Sequence, residues 1–217
     1  GVQTCALPIF ASSVSRWSRW DDRQLHRVIC YLKSTLNYCC CGSISYGHQP
    51  VVHAYSDADF ASCPWSAKST TGIMLGIRTG EAFFPLLWQS RKQSSIARST
   101  PEAEIIAFAA VLYGEALHIQ ETLQYLFEQD VSVKLEQDNE AVIKIIQNRY
   151  SARLRHCNRV HRVNIASICE TLEKESSIEL RYCKSDQQLA NSFTKILAPV
   201  HWLCEVSLNT PYHELPH

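Results

Sequence analysis

Hydrophobic residues near the start of the chain recur at the spacing of one helix face. Between Trp17 and Asn37 they follow one another at steps of three and four residues, at Leu25, Val28, Ile29 and Leu32. This periodicity predicts a short α-helix. The next stretch, residues 37–50, is rich in Cys, Ser and Gly and ends in Pro50, which favours an irregular turn or a weak hairpin and marks a candidate domain boundary.

From residue 51 the pattern changes to β-branched and aromatic residues, which are typical of strands. Residues 51–59 predict a strand that ends in two carboxylates, and residues 72–78 and 81–90 predict two more strands around a Thr79-Gly80 turn. Thr100 as N-cap and Pro101 at the first helical position predict the start of a helix that continues to about residue 124.

Strands and helices alternate through the rest of the chain. The predicted elements are a strand at 131–137, a helix at 140–147, a helix near 163–174, a strand at 178–183 and a helix near 186–197. Strands separated by helices favour a partly parallel α/β sheet that is covered by helices on both faces. The antiparallel pairing of the first three strands would extend this sheet.

The composition is that of a folded globular protein. Of the 217 residues, 46% are hydrophobic and 19% are charged, which suits one full domain with a smaller appendage. The 21 basic residues balance the 21 acidic ones, so a nucleic-acid partner would have to be held by a local basic patch. No hydrophobic stretch approaches the ~20 residues that a membrane span needs. The ten cysteines show no zinc-ribbon spacing and are interpreted as reduced thiols.

Three acidic residues fall where their carboxylates can meet. Asp57 and Asp138 end two predicted strands, and the carboxyl ends of parallel neighbours lie at one edge of a sheet. Glu104 lies on the hydrophobic stripe of the following helix and should point toward the sheet, whereas Glu102 is rotated by roughly 200° and should only interact with the helix N-terminus. Converging carboxylates favour Mg²⁺ or Mn²⁺, since the Cys/His set that zinc prefers is not apparent. The alternative is that the aspartates are turn formers and that Glu104 reaches solvent.

A local basic patch is present at residues 149–162. It contains Arg149, Arg153, Arg155, Arg159 and Arg162, with His156 and His161 between them. Guanidinium groups along one segment suit phosphate contacts and would make nucleic-acid affinity dependent on salt. The alternative is a solvated basic loop that binds nothing specific. Trp88, near the end of the third strand, is expected to be buried rather than to contact nucleic acid.

Six short motifs occur in order along the chain. They are YSDADFA at 55–61, KSTTG at 68–72, WQSRKQ at 88–93, STPEAE at 99–104, QDN at 137–139 and DQQLANSFTK at 186–195. Together they resemble the ribonuclease H domain of copia-type LTR retrotransposon polyproteins, over residues 51–197. Residues 10–50 resemble the C-terminal part of the preceding reverse transcriptase and its connection region. Residues 1–9 resemble a translated sequencing adapter, and residues 198–217 are assigned to a C-terminal tail.

The resemblance implies a ribonuclease H-like fold, a five-stranded mixed sheet flanked by helices, and hydrolysis of the RNA strand of RNA–DNA hybrids. Asp57, Glu104 and Asp138 match three of the family's four metal-binding acids, which would hold two Mg²⁺ or Mn²⁺ ions. Asn191 stands where the family pattern Leu-Ala-Asp has the fourth acid. Because an amide brings no charge, one of the two ions should be held less well.

The resemblance also implies partners and their contacts. His161 matches a histidine at the head of the next helix and is expected to face the hybrid. The other expected nucleic-acid contacts are Asn139, Arg153, Arg155, Arg159 and Arg162. The expected partners are an RNA–DNA hybrid and a covalently linked reverse transcriptase, with no membrane and no nucleotide cofactor. An intracellular location is expected, in a cytoplasmic retroelement particle or in the nucleus.

Two alternatives to an active ribonuclease H remain open. Asn191 favours a catalytically weakened or inactive nucleic-acid-binding remnant of the polyprotein. A different nuclease or an integrase on the same fold would also use clustered carboxylates. The order of Asp57, Glu104 and Asp138 and the flanking motifs disfavour this last alternative.

Overall fold

The structure is a computed structural model that describes residues 10, 14–34, 36, 38–40, 43–45, 47–195 and 209–211. The segment 1–9 lies outside the described residues, and so does the tail 198–217 apart from residues 209–211. All candidate site residues fall within the continuous stretch 47–195. Within the described part, no helix is long and hydrophobic enough to cross a membrane.

The strands of the described residues form two sheets. The strands are β1 (Tyr38–Cys40), β2 (Val51–Asp59), β3 (Thr70–Thr79), β4 (Ala82–Lys92), β5 (Ser132–Gln137), β6 (Ile178–Tyr182) and β7 (Asn209–Pro211). The central sheet has five strands in the order β4-β3-β2-β5-β6, and β1 pairs separately with β7. β2, β3 and β4 pair antiparallel, whereas β2, β5 and β6 pair in parallel. The predicted five-stranded mixed sheet is therefore confirmed.

Helices connect the strands in the predicted order, with one further short helix, Cys157–Val160, that was not predicted. The helices are α1 (Arg19–Ser34), α2 (Thr100–Val111), α3 (Leu117–Phe127), α4 (Glu140–Gln147), α5 (Cys157–Val160) and α6 (Ile165–Lys174). A π turn at Leu112–Ala116 joins α2 to α3. Short 3₁₀ turns occur at Val14–Arg16, Ala152–Leu154 and Leu189–Phe193.

The hydrophobic core lies between α2 and the central sheet. Ile105, Phe108 and Val111 of α2 are buried in one cluster with Val52 of β2 and Leu135 of β5. Both strands are mostly buried, as expected for central strands covered by helices. Because such a core is close-packed, it fixes the ends of β2 and β5 and the first turn of α2 relative to one another.

The start of α2 differs from the prediction by one residue. Ser99, not Thr100, is the N-cap, because its backbone is extended and its side chain accepts a hydrogen bond from the backbone N–H of Glu102. Pro101 then lies in the first turn, where its missing N–H costs no hydrogen bond within the helix. Through the π turn, the helical stretch continues past the predicted end to Phe127.

The predicted last helix at 186–197 is wrong in the described part of that segment, which forms the 3₁₀ turn Leu189–Phe193. Gln188 is buried and ties the segment to the sheet, since its Nε2 donates to the backbone carbonyls of Ser56 and Glu136. The Asn, Ser and Thr residues that follow favour local hydrogen bonds over a regular helix. The segment consequently packs against β2 and β3.

The expected burial of Trp88 is also wrong. Trp88 is 40% exposed, because it lies on β4, which is an edge strand of the central sheet. Large aromatic residues are often buried, but an edge position leaves one side of the residue open to solvent.

Candidate active site

Asp57 lies in the buried part of β2, two residues before the strand ends, and is 1% exposed. Its partner across the β2–β3 pair is Gly72. A Cβ at position 72 would lie 2.6 Å from Cγ2 of Thr194 and 2.7 Å from the carbonyl oxygen of Ala190. A glycine is needed here because only a bare backbone lets the 3₁₀ segment pack against the sheet beside Asp57.

Asp138 directly follows β5 and is partly exposed. Tyr55 of β2 is paired with Glu136 of β5 in the parallel register, so Asp57 and Asp138 both come two residues after this pair. Ser185 donates a hydrogen bond from Oγ to Oδ2 of Asp138 over 2.8 Å. The parallel register thus brings both carboxylates to the same edge of the sheet.

Glu104 reaches the same edge from α2 and is 4% exposed. One carboxylate oxygen from each of Asp57, Glu104 and Asp138 lies within 4.8 Å of the other two. Burial, together with repulsion by the charges of Asp57 and Asp138, raises the pKa of Glu104 to about 9. Its buried Oε2 has no hydrogen-bond partner among the described residues.

These three carboxylates, which we call the acidic cluster, fit a divalent cation. A buried oxygen without a hydrogen-bond partner among the described residues, and a carboxyl group whose pKa is raised by burial and by two neighbouring acids, both fit the binding of a positive charge at this position. The ligand set consists of oxygen atoms only, which suits Mg²⁺ or Mn²⁺ better than Zn²⁺. The chain therefore has an acidic cluster that could hold a metal.

The ammonium group of Lys195 also contacts the acidic cluster, although the sequence patterns do not single it out. Its Nζ donates to Oδ1 of Asp57 over 3.1 Å and to Oδ1 of Asn191 over 2.7 Å. Thr194 donates from Oγ1 to Oδ2 of Asp57. Burial raises the pKa of Asp59, the charge of Asp57 raises it further, and Lys195 opposes the rise.

Asn191 lies in the 3₁₀ turn beside the acidic cluster. Its Oδ1 accepts the hydrogen bond from Lys195, and its Nδ2 donates to the backbone carbonyl of Ser185 over 2.8 Å. Both ends of the amide are therefore engaged by protein groups. Since Lys195 also contacts Asp57 and Ser185 also contacts Asp138, Asn191 is linked to two of the acids through one intermediate residue each.

The interpretation of Glu102 as a residue that only interacts with the helix end is wrong. Glu102 is 1% exposed, and its Oε1 accepts hydrogen bonds from Nε2 of His156 at 2.9 Å and Nε2 of His161 at 2.6 Å. Its Oε2 accepts from the backbone N–H of Arg98. Burial alone would raise the pKa of Glu102, but the hydrogen bonds from His156, His161 and Arg98 outweigh burial and lower it.

The prediction that His161 faces a nucleic acid is wrong as well. The side chain of His161 is 1% exposed. Both ring nitrogens have protein partners, since Nε2 contacts Glu102 and Nδ1 lies 2.5 Å from Oγ of Ser95. Glu102 is 59 positions away in the sequence, so no spacing rule connects the two residues.

The basic segment 149–162 remains largely on the surface. The exposed arginines are Arg149, Arg153, Arg155, Arg159 and Arg162. Arg149 forms an ion pair with Glu173, and the guanidinium carbon of Arg155 lies 5.3 Å from the ring centroid of Tyr150. Asn139 is the N-cap of α4, and its Oδ1 accepts from two backbone N–H groups of the first turn. The side-chain oxygen of Asn139 is thus used within the fold.

The architecture and the acidic cluster together define the class of the domain. A five-stranded mixed sheet carries two carboxylates at the carboxyl ends of its parallel strands, and the helix after the antiparallel strands supplies a third. This arrangement is that of the ribonuclease H-like fold.

Comparison with known proteins identifies relatives of this chain by sequence. The chain is 28% identical over 204 residues to the retrovirus-related Pol polyprotein from transposon TNT 1-94 of Nicotiana tabacum, a match that covers 90% of this chain. It is 35% identical over 80 residues, or 37% of this chain and 5% of the relative, to the retrovirus-related Pol polyprotein from transposon RE1 of Arabidopsis thaliana. No family model matches the sequence. The resemblance of the motifs to copia-type Pol polyproteins is confirmed by these relatives. The chain spans only 14% of the TNT 1-94 polyprotein.

Solved structures with similar folds include LC11-RNase H1 from compost, at a TM-score of 0.43 and 14% identity, covering 68% of this chain and 93% of that chain. The prototype foamy virus protease-reverse transcriptase is similar at a TM-score of 0.41 and 15% identity. That match covers 72% of this chain and 22% of the viral chain.

Proposed function

We propose that this domain hydrolyses the RNA strand of RNA–DNA hybrids in a reaction that depends on Mg²⁺ or Mn²⁺. The observation that carries the proposal is the convergence of Asp57, Glu104 and Asp138 within 4.8 Å at one edge of the sheet. Relatedness to retrovirus-related Pol polyproteins supports the choice of reaction.

The residues of the acidic cluster would hold the cations. When bound, two such ions would supply an activated water and a positive charge that stabilises the leaving 3′ oxygen. Glu104 must give up its proton to act as a ligand, which a nearby divalent charge favours. Its Oε2 has no competing hydrogen bond among the described residues. Asp57 is shielded by the core while Asp138 is partly exposed, so a phosphate would approach from the side of Asp138.

Lys195 would act as a counter-charge to Asp57. Its ammonium group contacts Oδ1 of Asp57, which is one of the oxygens that a cation would need. The side chain of Lys195 is 45% exposed, so it has room to move away from Asp57. Released from the acid, the ammonium group would be available to a nearby phosphate.

The exposed arginines would hold the nucleic acid. Arg153, Arg159 and Arg162 present guanidinium groups on the surface of the basic segment. Such contacts to phosphates position a duplex without reading its sequence. The RNA strand would be recognised by its 2′-hydroxyl groups in a wide minor groove, so we expect low sequence specificity.

A second candidate function is a weakly active or inactive nucleic-acid-binding remnant. Asn191 favours it, because the amide carries no charge and both its ends are engaged by Lys195 and Ser185. In that case the hybrid would still bind through the arginines, while the cation would be bound weakly or not at all.

The direct test is incubation with labelled RNA–DNA hybrid, RNA duplex and DNA duplex in the presence of Mg²⁺ or Mn²⁺. We expect cleavage of the RNA strand of the hybrid only, and none after chelation of the metal. Asp138→Asn should reduce cleavage by more than the ~10–100-fold that loss of an outer-shell partner costs. Glu140→Gln is the matched control, because Glu140 is an exposed acid two residues further along.

The outcomes separate the candidates. Hybrid binding without cleavage, in the parent protein and at high metal concentration, would favour the remnant. Cleavage of DNA duplex would favour another nuclease. Cleavage that Asp138→Asn leaves unchanged would show that the acidic cluster is not the active site.

The proposal includes a larger polyprotein around this domain. We place the domain beside a covalently linked reverse transcriptase, because its relatives are Pol polyproteins of which the matched region is a small part. The corresponding location is a cytoplasmic retroelement particle or the nucleus. Fractionation of cells that express the tagged parent polyprotein would test the location.

A further inference from the structure

A second group of metal-ligating side chains lies apart from the acidic cluster. It consists of Glu102 at the start of α2 and His156, Cys157 and His161 from the basic segment. One ligand atom from each of the four residues lies within 4.8 Å of the other three. We call this group the His/Cys cluster. Its composition of two imidazoles, one thiol and one carboxylate differs from the all-oxygen acidic cluster.

The ligand atoms of the His/Cys cluster converge on one point. Nε2 of His156 and Nε2 of His161 both approach the same oxygen, Oε1 of Glu102, at 2.9 and 2.6 Å. Cys157 is fully buried beside them. In a tetrahedral zinc site the ligand atoms are separated by roughly 3.3–3.7 Å, as follows from metal–ligand distances of about 2.0–2.3 Å. Shifts of about an ångström would therefore convert the observed arrangement into a tetrahedral set.

Neighbouring groups already orient two of the ligands. Nδ1 of His161 lies 2.5 Å from Oγ of Ser95, which leaves Nε2 as the inward-facing nitrogen. Oε2 of Glu102 accepts from the backbone N–H of Arg98, which leaves Oε1 as the inward-facing oxygen. Metal-binding histidines commonly have such a partner on the nitrogen that does not bind the metal.

The charges also match a divalent ion. A cysteine thiolate and a glutamate carboxylate together carry two negative charges, so a divalent cation with two neutral imidazoles gives a neutral complex. A neutral complex is the form in which these groups are least costly to bury. Nitrogen and sulfur ligands select Zn²⁺ over Mg²⁺.

We propose that Glu102, His156, Cys157 and His161 form a structural zinc site. Each histidine would bind zinc through Nε2 as the neutral tautomer that carries its proton on Nδ1. A ring now protonated only at Nε2 would reach this form by moving that proton to Nδ1, and a doubly protonated ring would release its Nε2 proton to solvent. The Cys157 thiol would also release its proton to solvent. Because these four side chains would fill all four coordination positions of the zinc ion, no position would be left for a substrate, as in structural zinc centres. The ion would fasten the arginine-bearing segment to the start of α2. It is independent of the proposed nuclease reaction, because it uses none of the acidic cluster.

The competing arrangement is a metal-free ion pair between Glu102 and the two histidines. It would leave Cys157 as a protonated thiol, since burial and, to a lesser extent, the charge of Glu102 together raise its pKa to about 11. The two arrangements differ in whether sulfur is bound to a metal.

The test uses the full chain, stripped of metal and then supplied with Co²⁺ or Zn²⁺ alone. We expect the Co²⁺ protein to show a thiolate-to-cobalt charge-transfer band and the intense visible bands of a tetrahedral site, both lost when Zn²⁺ is added. After gel filtration, the Zn²⁺ protein should retain about one zinc per chain. Cys157→Ser and His161→Gln should lower retention at least tenfold.

Two matched variants locate the ion. Cys169→Ser removes another buried cysteine, whose Sγ contacts the backbone carbonyl of Ile146, and should keep the zinc and the cobalt spectrum. Asp138→Asn should also keep both. If the parent shows no thiolate-to-cobalt band, or if Asp138→Asn rather than Cys157→Ser removes the zinc, the proposal is overturned. A band that Cys157→Ser keeps at full strength would overturn the proposal as well. The presence of the band is measured on the parent protein, so that part of the test does not depend on any variant folding.

Discussion

Replacing Glu104 by Gln tests the electrostatics of the acidic cluster when no cation is bound. Burial and the charges of Asp57 and Asp138 raise the pKa of Glu104 from 4.5 to about 9 in the folded protein. Between these two values the folded chain keeps a proton that the unfolded chain has lost. Because the folded state binds more protons, the free energy of unfolding must fall as the pH rises through this range.

The size of the effect follows from one proton of difference. It corresponds to ~1.4 kcal/mol per pH unit, so between pH 5.5 and pH 7.5 Glu104 should cost the metal-free parent up to about 2.7 kcal/mol of stability. Gln has nearly the same size and does not titrate. Glu104→Gln should therefore remove this part of the slope and become relatively more stable at the higher pH.

The assay is urea unfolding at both pH values in the presence of a chelator. Glu140→Gln is the control, because it removes a surface carboxylate by the same substitution and should keep the slope of the parent. Equal slopes for the parent and Glu104→Gln would refute the electrostatic reasoning. Added Mg²⁺ should stabilise the parent more than Glu104→Gln, since only the parent offers the third carboxylate.

Three further variants test other parts of the molecule. Asn191→Asp should shift the Mg²⁺ dependence of hybrid cleavage to lower concentration, and superimposable titration curves would show that Asn191 does not limit activity. A triple variant replaces the exposed Arg153, Arg155 and Arg159 by Ala. It should bind the hybrid more weakly and with a flatter salt dependence, measured by filter binding at several salt concentrations. Gly72→Ala should destabilise the fold by ~1–3 kcal/mol in urea unfolding, because its Cβ would lie 2.7 Å from the carbonyl oxygen of Ala190.

The sequence predicts the sheet and the acidic cluster because both depend on local patterns. Strand β2 and helix α4 have the predicted bounds, since a β-branched run and an Asn N-cap are local signals. Two strands that pair in parallel place Asp57 and Asp138 at one edge without further information. Helical periodicity is enough to turn Glu104 toward them.

Contacts between distant positions could not be predicted in the same way. Glu102 meets His156 and His161 across 54 and 59 positions of sequence, so its helix phase shows that it faces away from Glu104 but not what it meets there. Lys195 reaches Asp57 only because the predicted last helix is replaced by a 3₁₀ turn held by Gln188. His156, Cys157 and His161 of the basic segment were the available signal for a second candidate metal site. The remaining residue of that group, Glu102, lies in a different motif and could not be connected to them by spacing.

The start of α2 carries two glutamates, and each belongs to a different cluster of possible metal ligands. Residues separated by two positions on a helix are rotated by about 200°, so Glu104 joins the acidic cluster while Glu102 joins the His/Cys cluster. Glu102→Gln is therefore unsuitable as a neutral control for Glu104→Gln. It would take away the charge that binds two histidines of the basic segment, and so would disturb how the arginines are held. Glu102→Gln should weaken hybrid binding and leave the Mg²⁺ dependence of cleavage unchanged. Glu104→Gln should instead change the Mg²⁺ dependence, so the two measurements distinguish damage at Glu102 from damage at Glu104.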